Sequence, residues 1–198
     1  MRTDLTEIIC IIDRSGSMQS IRSDAIGGFN AFLEGQQKHP GEGRLTLALF
    51  NHDYERVYEN TPLPEVPPLT EDTYVPEGTT ALLDAVGRTL VDVGKRLAAT
   101  PEAERPAQVI VAILTDGLEN ASTDYTRERI AEMIAHQRTK YAWEFIFLAA
   151  NQNAFQAAQK LSIDPADAMP FASTKVGVRA AYANLTENVS QRRSRKKS

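Results

Sequence analysis

The sequence contains one cysteine, Cys10, so neither an intrachain disulfide nor a cysteine cluster for zinc can form. Cys10 sits inside an apolar strand pattern, where a buried, inert thiol is expected. Long hydrophobic runs are missing too. The longest apolar stretches, residues 8–12 and 109–114, are far too short to span a bilayer. At the start of the chain Asp4 and Glu7 flank Leu5, which is not the basic-then-apolar pattern of a secretory leader, so a cytoplasmic location without membrane attachment is expected. No Gly-x-Ser-x-Gly elbow, no phosphate loop ending Gly-Lys-Ser/Thr and no Gly-x-Gly-x-x-Gly after the first strand occurs. The usual serine-hydrolase, phosphate-loop and dinucleotide signatures are therefore absent. His39, His52 and His136 share no metal-ligand spacing.

Excess positive charge is also lacking. The net charge is −4, and the last eight residues hold five basic groups and no acid, which leaves 17 basic against 26 acidic residues before them. A body at −9 argues against nucleic acid as the main ligand. What the chain does have is a 42% hydrophobic content in 198 residues, enough for one well-formed core. One domain over residues 1–190 and a basic, disordered tail over 191–198 are expected, the tail being most often solvated.

Short apolar runs alternate with helical periodicity. Residues 7–13, 44–51, 108–115 and 144–149 read as strands buried on both faces, and 168–171 as a weaker last one. Residues 54–60 alternate enough to be a hairpin partner of the second strand. Helices are predicted over 20–38, 81–99, 126–140, 153–161 and 175–189, with Ile130, Met133 and Ile134 facing inward in the third. Residues 61–76 carry five prolines and little periodicity and read as a loop crossing the surface. Tyr141 and Trp143 precede a strand and are assigned to packing beneath the last helices. The fold class is α/β: a doubly wound, mostly parallel six-stranded sheet with one antiparallel edge strand and helices on both faces, a Rossmann-like arrangement.

Ligands of such a sheet bind beyond the carboxyl ends of its strands. Three features converge there. Asp13 closes the first strand and is followed by Ser15 and Ser17, Asp116 closes the later apolar strand, and Thr79-Thr80 opens the long helix after the proline-rich loop. All the donors are oxygen, which suits a hard divalent ion such as Mg²⁺. Gly16 lets the loop curl so that both serine hydroxyls turn to one point. Two carboxylates balance a dication, and an ion held this way can accept a further carboxylate from outside. Glu119, Asn120, Asn151 and Gln152 follow these strands and are expected to be solvated loop groups, with lining of the site's rim as the alternative.

Asp-x-Ser-x-Ser after an apolar strand, a distant Gly-Thr-Thr-Ala-Leu opening a helix, and Leu-Thr-Asp-Gly after a second strand resemble the von Willebrand factor type A domain. The resemblance covers residues 7–189 and points to the stand-alone bacterial members. It implies a metal ion-dependent adhesion site at Asp13, Ser15, Ser17, Thr80 and Asp116. Thr80 is preferred to Thr79 because the family pattern reads Gly-Gly-Thr, with Thr79 in place of the second glycine. The function implied is a metal-dependent protein-binding module, not an enzyme, that uses Mg²⁺ (or Mn²⁺ or Ca²⁺) to hold an Asp or Glu of a protein partner. In this family the Thr and the distant Asp exchange direct and water-mediated contact with the ion.

The alternative is a haloacid dehalogenase-like phosphohydrolase with Asp13 as nucleophile. There the residue two positions on is a second Asp serving as acid and base. Here it is Ser15, whose hydroxyl cannot act as a general acid at neutral pH.

Overall fold

The computed structural model describes residues 1–150 and 153–195. Strand β1 (Arg2–Asp13) is buried from Leu5 onward, with Ile8, Cys10 and Ile12 in one core layer and Ile9 and Ile11 in the other. A strand this apolar needs neighbours on both edges. It runs parallel to β2 (Glu42–Phe50) on one side and to β4 (Pro106–Thr115) on the other. The hairpin strand β3 (Tyr54–Pro62) closes one edge antiparallel to β2. Beyond β4, β5 (Glu144–Ala150) and β6 (Ala168–Phe171) continue in parallel, giving the order β3-β2-β1-β4-β5-β6. The expected fold class is the one observed.

Helices α1 (Arg22–Lys38) and α5 (Lys175–Ser194) cover one face, where Phe29, Phe32, Val178 and Leu185 pack on Ile8 and Ile12. The other face carries α2 (Leu82–Ala99), α3 (Arg127–Tyr141) and α4 (Ala154–Lys160), with Val86, Leu90, Ile130 and Ile134 over Ile9 and Ile11. A helix of seven residues such as α4 is unstable alone. Burial of Ala154 and Ala158, and an Asn153 side chain that caps Gln156 N, hold it in place.

Four expectations are corrected. Residues 61–76 are not a surface crossing: Leu63, Val66, Leu69 and Tyr74 are buried in the core under α1. Prolines fix the path of this segment, while its apolar side chains follow no helical or strand period. Helix α5 runs five residues past the predicted end, so 191–194 are helix rather than disordered tail. The cause is Arg192, which is buried and pairs with Glu144 at 3.1 Å and Asp167 at 2.5 Å. Strand β1 begins at Arg2, since Arg2 ties Asp4 and Glu42 together across the strand ends. Finally, only Trp143 of the aromatic pair is buried, whereas Tyr141 is exposed beneath the Lys140 ammonium.

The strand order reverses direction between β1 and β4, so a crevice opens beyond their carboxyl ends. Asp13 and Asp116 stand on either side of it.

Candidate metal centre

The loop after β1 is shaped by its own side chains. Asp13 Oδ1 accepts the Ser15 backbone N–H at 2.7 Å, which folds residues 13–15 back on themselves. The Ser15 and Ser17 hydroxyls then stand 3.0 Å apart, and Ser17 donates to Asp116 Oδ1. Asp13 Oδ2 accepts from Thr115 Oγ1 at 2.7 Å, and Asp116 Oδ2 from Ser173 Oγ at 3.1 Å. Tyr74, from the proline-rich segment, donates its hydroxyl to the Asp13 carbonyl at 2.6 Å. Arg14 turns away to pair with Glu55.

The threonine loop docks on this frame through Gly78. Gly16 N–H donates to the Gly78 carbonyl at 3.0 Å, and Glu77 N–H to the Arg14 carbonyl at 2.9 Å. Gly78 has φ of +68°, and a Cβ there would overlap the His52 ring, so no other residue fits without strain. Asn120 clamps Thr80 by accepting its N–H at 2.9 Å and donating to its carbonyl at 3.1 Å. Thr80 is thereby buried, while Thr79 is exposed. A Cβ built at Gly117 would meet Thr80 Oγ1 at 3.0 Å and Ser17 Oγ at 3.6 Å, so these two hydroxyls flank the same glycine.

All five sequence-derived positions (Asp13, Ser15, Ser17, Thr80 and Asp116) thus meet at one point of the sheet edge. Glu119 is only partly exposed and serves as a loop anchor, whereas Asn120 is exposed as expected while its Oδ1 and N–H hold Thr80. Glu119 accepts from Leu83 N, Ala121 N, Ser122 N and Ser122 Oγ, and so ties the post-β4 loop to the first turn of α2. Asn151 and Gln152 lie outside the described residues. Sequence reasoning missed Ser173, Thr115 and Tyr74. A residue before α5 and one in an aperiodic segment give no local signal of where the topology takes them.

Electrostatically the centre is unbalanced. Asp13 is 0% and Asp116 4% exposed, and among the described residues neither has an ion-pair partner. Burial pushes the Asp13 carboxyl above the usual carboxylate range; the Ser15 and Thr115 donors pull it back, and the Asp116 charge adds to the rise. Isolated buried charge is costly, and a cation placed between the two carboxylates would offset that cost. No cluster of three or more His, Cys, Asp or Glu occurs among the described residues. The donor set is therefore two carboxylates and hydroxyls, which fits a hard divalent ion completed by water or an outside ligand.

No family model matches the sequence, and no curated protein does. Solved structures match its fold. The vWF domain of the type V pili tip protein Mfa5 from Porphyromonas gingivalis aligns over 98% of this chain and 97% of its own, with 12% identity and a TM-score of 0.67. Proximal thread matrix protein 1 from the mussel byssus, with a zinc-occupied MIDAS motif, matches 93% of this chain at 13% identity and a TM-score of 0.64. The ArnB paralog VWA2 from Sulfolobus acidocaldarius matches 91% at 18% identity and a TM-score of 0.57. This chain spans 46% of the byssus protein and 44% of the Sulfolobus one. With its strand order, its helices on both faces and these matches, the chain has the von Willebrand factor type A fold.

Proposed function

We propose that the protein is a divalent-metal-dependent protein-binding module and not an enzyme. The observation that carries this reading is the pair of buried carboxylates, Asp13 and Asp116, linked through Ser15 and Ser17 and with no basic partner among the described residues. Asp13, Ser15, Ser17, Thr80 and Asp116 would hold the ion, Mg²⁺ by preference, with Mn²⁺ or Ca²⁺ as alternatives. Two structural neighbours support a metal-binding reading: the byssus protein, whose MIDAS motif is zinc-occupied, and a manganese-loaded TRAP protein from Plasmodium vivax. A dication there offers an electrophilic position to an oxygen ligand from outside, and an Asp or Glu of a partner protein fits it.

The chain's own residues do the positioning. Thr115 and Ser173 orient the two carboxylates, Asn120 fixes Thr80, and Tyr74 locks the backbone at Asp13. Both oxygens of Asp13 are engaged by donors and the residue is fully buried, which suits a ligand more than a nucleophile. Position 15 supplies a hydroxyl and no second acid for proton transfer. Among the described residues no helix is long and apolar enough to cross a membrane. Cys10 is a free, buried thiol, in keeping with a reducing compartment such as the cytoplasm.

Calorimetric titration of Mg²⁺ or Mn²⁺ tests the site. Saturable binding is expected for the wild type and its loss for the isosteric Asp13→Asn and for Asp13→Ala. Equal binding by all three would overturn the metal site.

A further inference from the structure

A groove opens beside the metal centre, between the start of α2, the loop after β4 and helix α4. Leu82, Leu83, Phe147, Ala157 and Leu161 line it, and its volume is about 300 Å³. That is the small end of ligand pockets, room for one or two side chains and not for a large cofactor. It adjoins the centre along the chain: Leu82 follows Thr80 by two residues, and Leu118 follows Asp116 by two. Leu118 stands at the lip, 65% exposed, one of six exposed large apolar side chains among the described residues and the one that lines this groove.

Two cations, Arg127 at the start of α3 and Lys160 at the end of α4, share this groove. Their charged groups have no ion pair or hydrogen bond among the described residues. Glu119, the one acid among the groove's described lining residues, is held by four neutral donors that tie down its loop, and it keeps its charge. An apolar hollow whose charged lining sums to +1, Arg127 and Lys160 against Glu119, on a chain of net charge −4, is a local reversal of the molecule's own sign. The complementary occupant is apolar and acidic at once.

We propose that this groove receives a bulky apolar side chain together with a carboxylate from the same partner segment whose other acid reaches the metal centre. The inference rests on the binding-module reading for that last acid only, since the groove's own chemistry involves no metal. The partner is thus a protein segment with two acids bracketing or adjoining an apolar residue. Leu118 and the apolar floor give affinity, and Arg127 with Lys160 gives selection by charge.

The probe is a pool of blocked peptides in which one Leu and one Glu are adjacent or separated by one or two Gly. It is titrated into ¹⁵N-labelled protein in the presence of EDTA. Saturable amide shifts are expected at Leu83, Leu118, Ala157 and Leu161. The response weakens at least fivefold when Ser replaces the peptide's Leu, and at least fivefold for the double variant Arg127→Glu, Lys160→Glu. Both substituted side chains are exposed, and an otherwise unchanged amide spectrum verifies the fold. Absent shifts, equal binding of the Ser peptides, an unchanged response of the double variant, or the same shifts with inorganic phosphate would each overturn the proposal. Because EDTA removes the ion, failure here leaves the calorimetric result standing, and failure of metal binding leaves this result standing.

Discussion

Asp13 has a donor on each carboxylate oxygen and no basic side chain paired with it among the described residues, which is why the proposed metal site centres on it. Its local pattern is what made the centre legible: an acid ending an apolar strand, with hydroxyls two and four residues on. Ser173 and Tyr74 carry no such pattern, because each reaches Asp116 or Asp13 by tertiary packing from far along the chain. The threonine choice lies between these cases. Sequence resemblance favours Thr80, and burial with the Asn120 clamp gives a physical reason for it. Thr80→Val keeps the shape and removes the hydroxyl, so it should weaken Mg²⁺ or Mn²⁺ binding about tenfold, or ~1.4 kcal/mol. Thr79→Val, at an exposed position, should change it less than about twofold. Calorimetry on the two variants decides; equal losses, or a larger loss at Thr79, would reassign the ligand.

At the scale of elements, what the sequence showed was periodicity, and what it hid was everything fixed by a partner elsewhere. Strand β6 lies over the residues its pattern marked, and so does the core of α2. Helix α5 outruns its apolar pattern because its last turns are held by charge. Arg192, only 8% exposed as a side chain, bridges β5 through Glu144 and the turn before β6 through Asp167. Arg193 adds bonds to the carbonyls of Gln36 and Gly41 beneath α1. A run of basic residues gives no hint of such burial, since nothing local distinguishes a solvated arginine from a paired one. Arg192→Ala removes the cation while leaving two partly buried acids. Breaking a fully buried pair costs ~3–5 kcal/mol, and the partners' partial exposure reduces this to about 2 kcal/mol. Urea unfolding should show that loss as a lower midpoint at unchanged slope. A change within about 0.5 kcal/mol, the range of ordinary surface substitutions, would mean the end of α5 is not anchored there.

For the whole molecule, the sheet order sets Asp13 and Asp116 across one crevice, and the burial that makes the fold stable makes that crevice costly to leave uncharged by a cation. Fold alone does not give function, since doubly wound sheets host many activities. The unbalanced charge does give a measurable coupling. An ion that binds only the folded chain stabilises it by ~2.7 kcal/mol at a hundred times its Kd, roughly 5–10 °C in Tm for a chain of this size. The pH dependence has a definite sign. In the metal-free protein burial raises the folded Asp13 value above the ordinary ~3.9, so the proton is held more tightly folded than unfolded. That contribution to stability is complete below about pH 4 and is lost as pH rises through the raised value. Ion binding needs the same carboxylate deprotonated, so its stabilisation runs the other way and grows with pH. Melting dialysed protein with and without excess Mg²⁺ at several pH values therefore has one expected outcome. The gap in Tm widens between about pH 4 and about pH 7.5, as pH rises through the raised Asp13 value, in the wild type and is absent at every pH in Asp13→Asn. A gap that is constant across that range, or that survives in Asp13→Asn, would place any bound ion somewhere other than the crevice between β1 and β4.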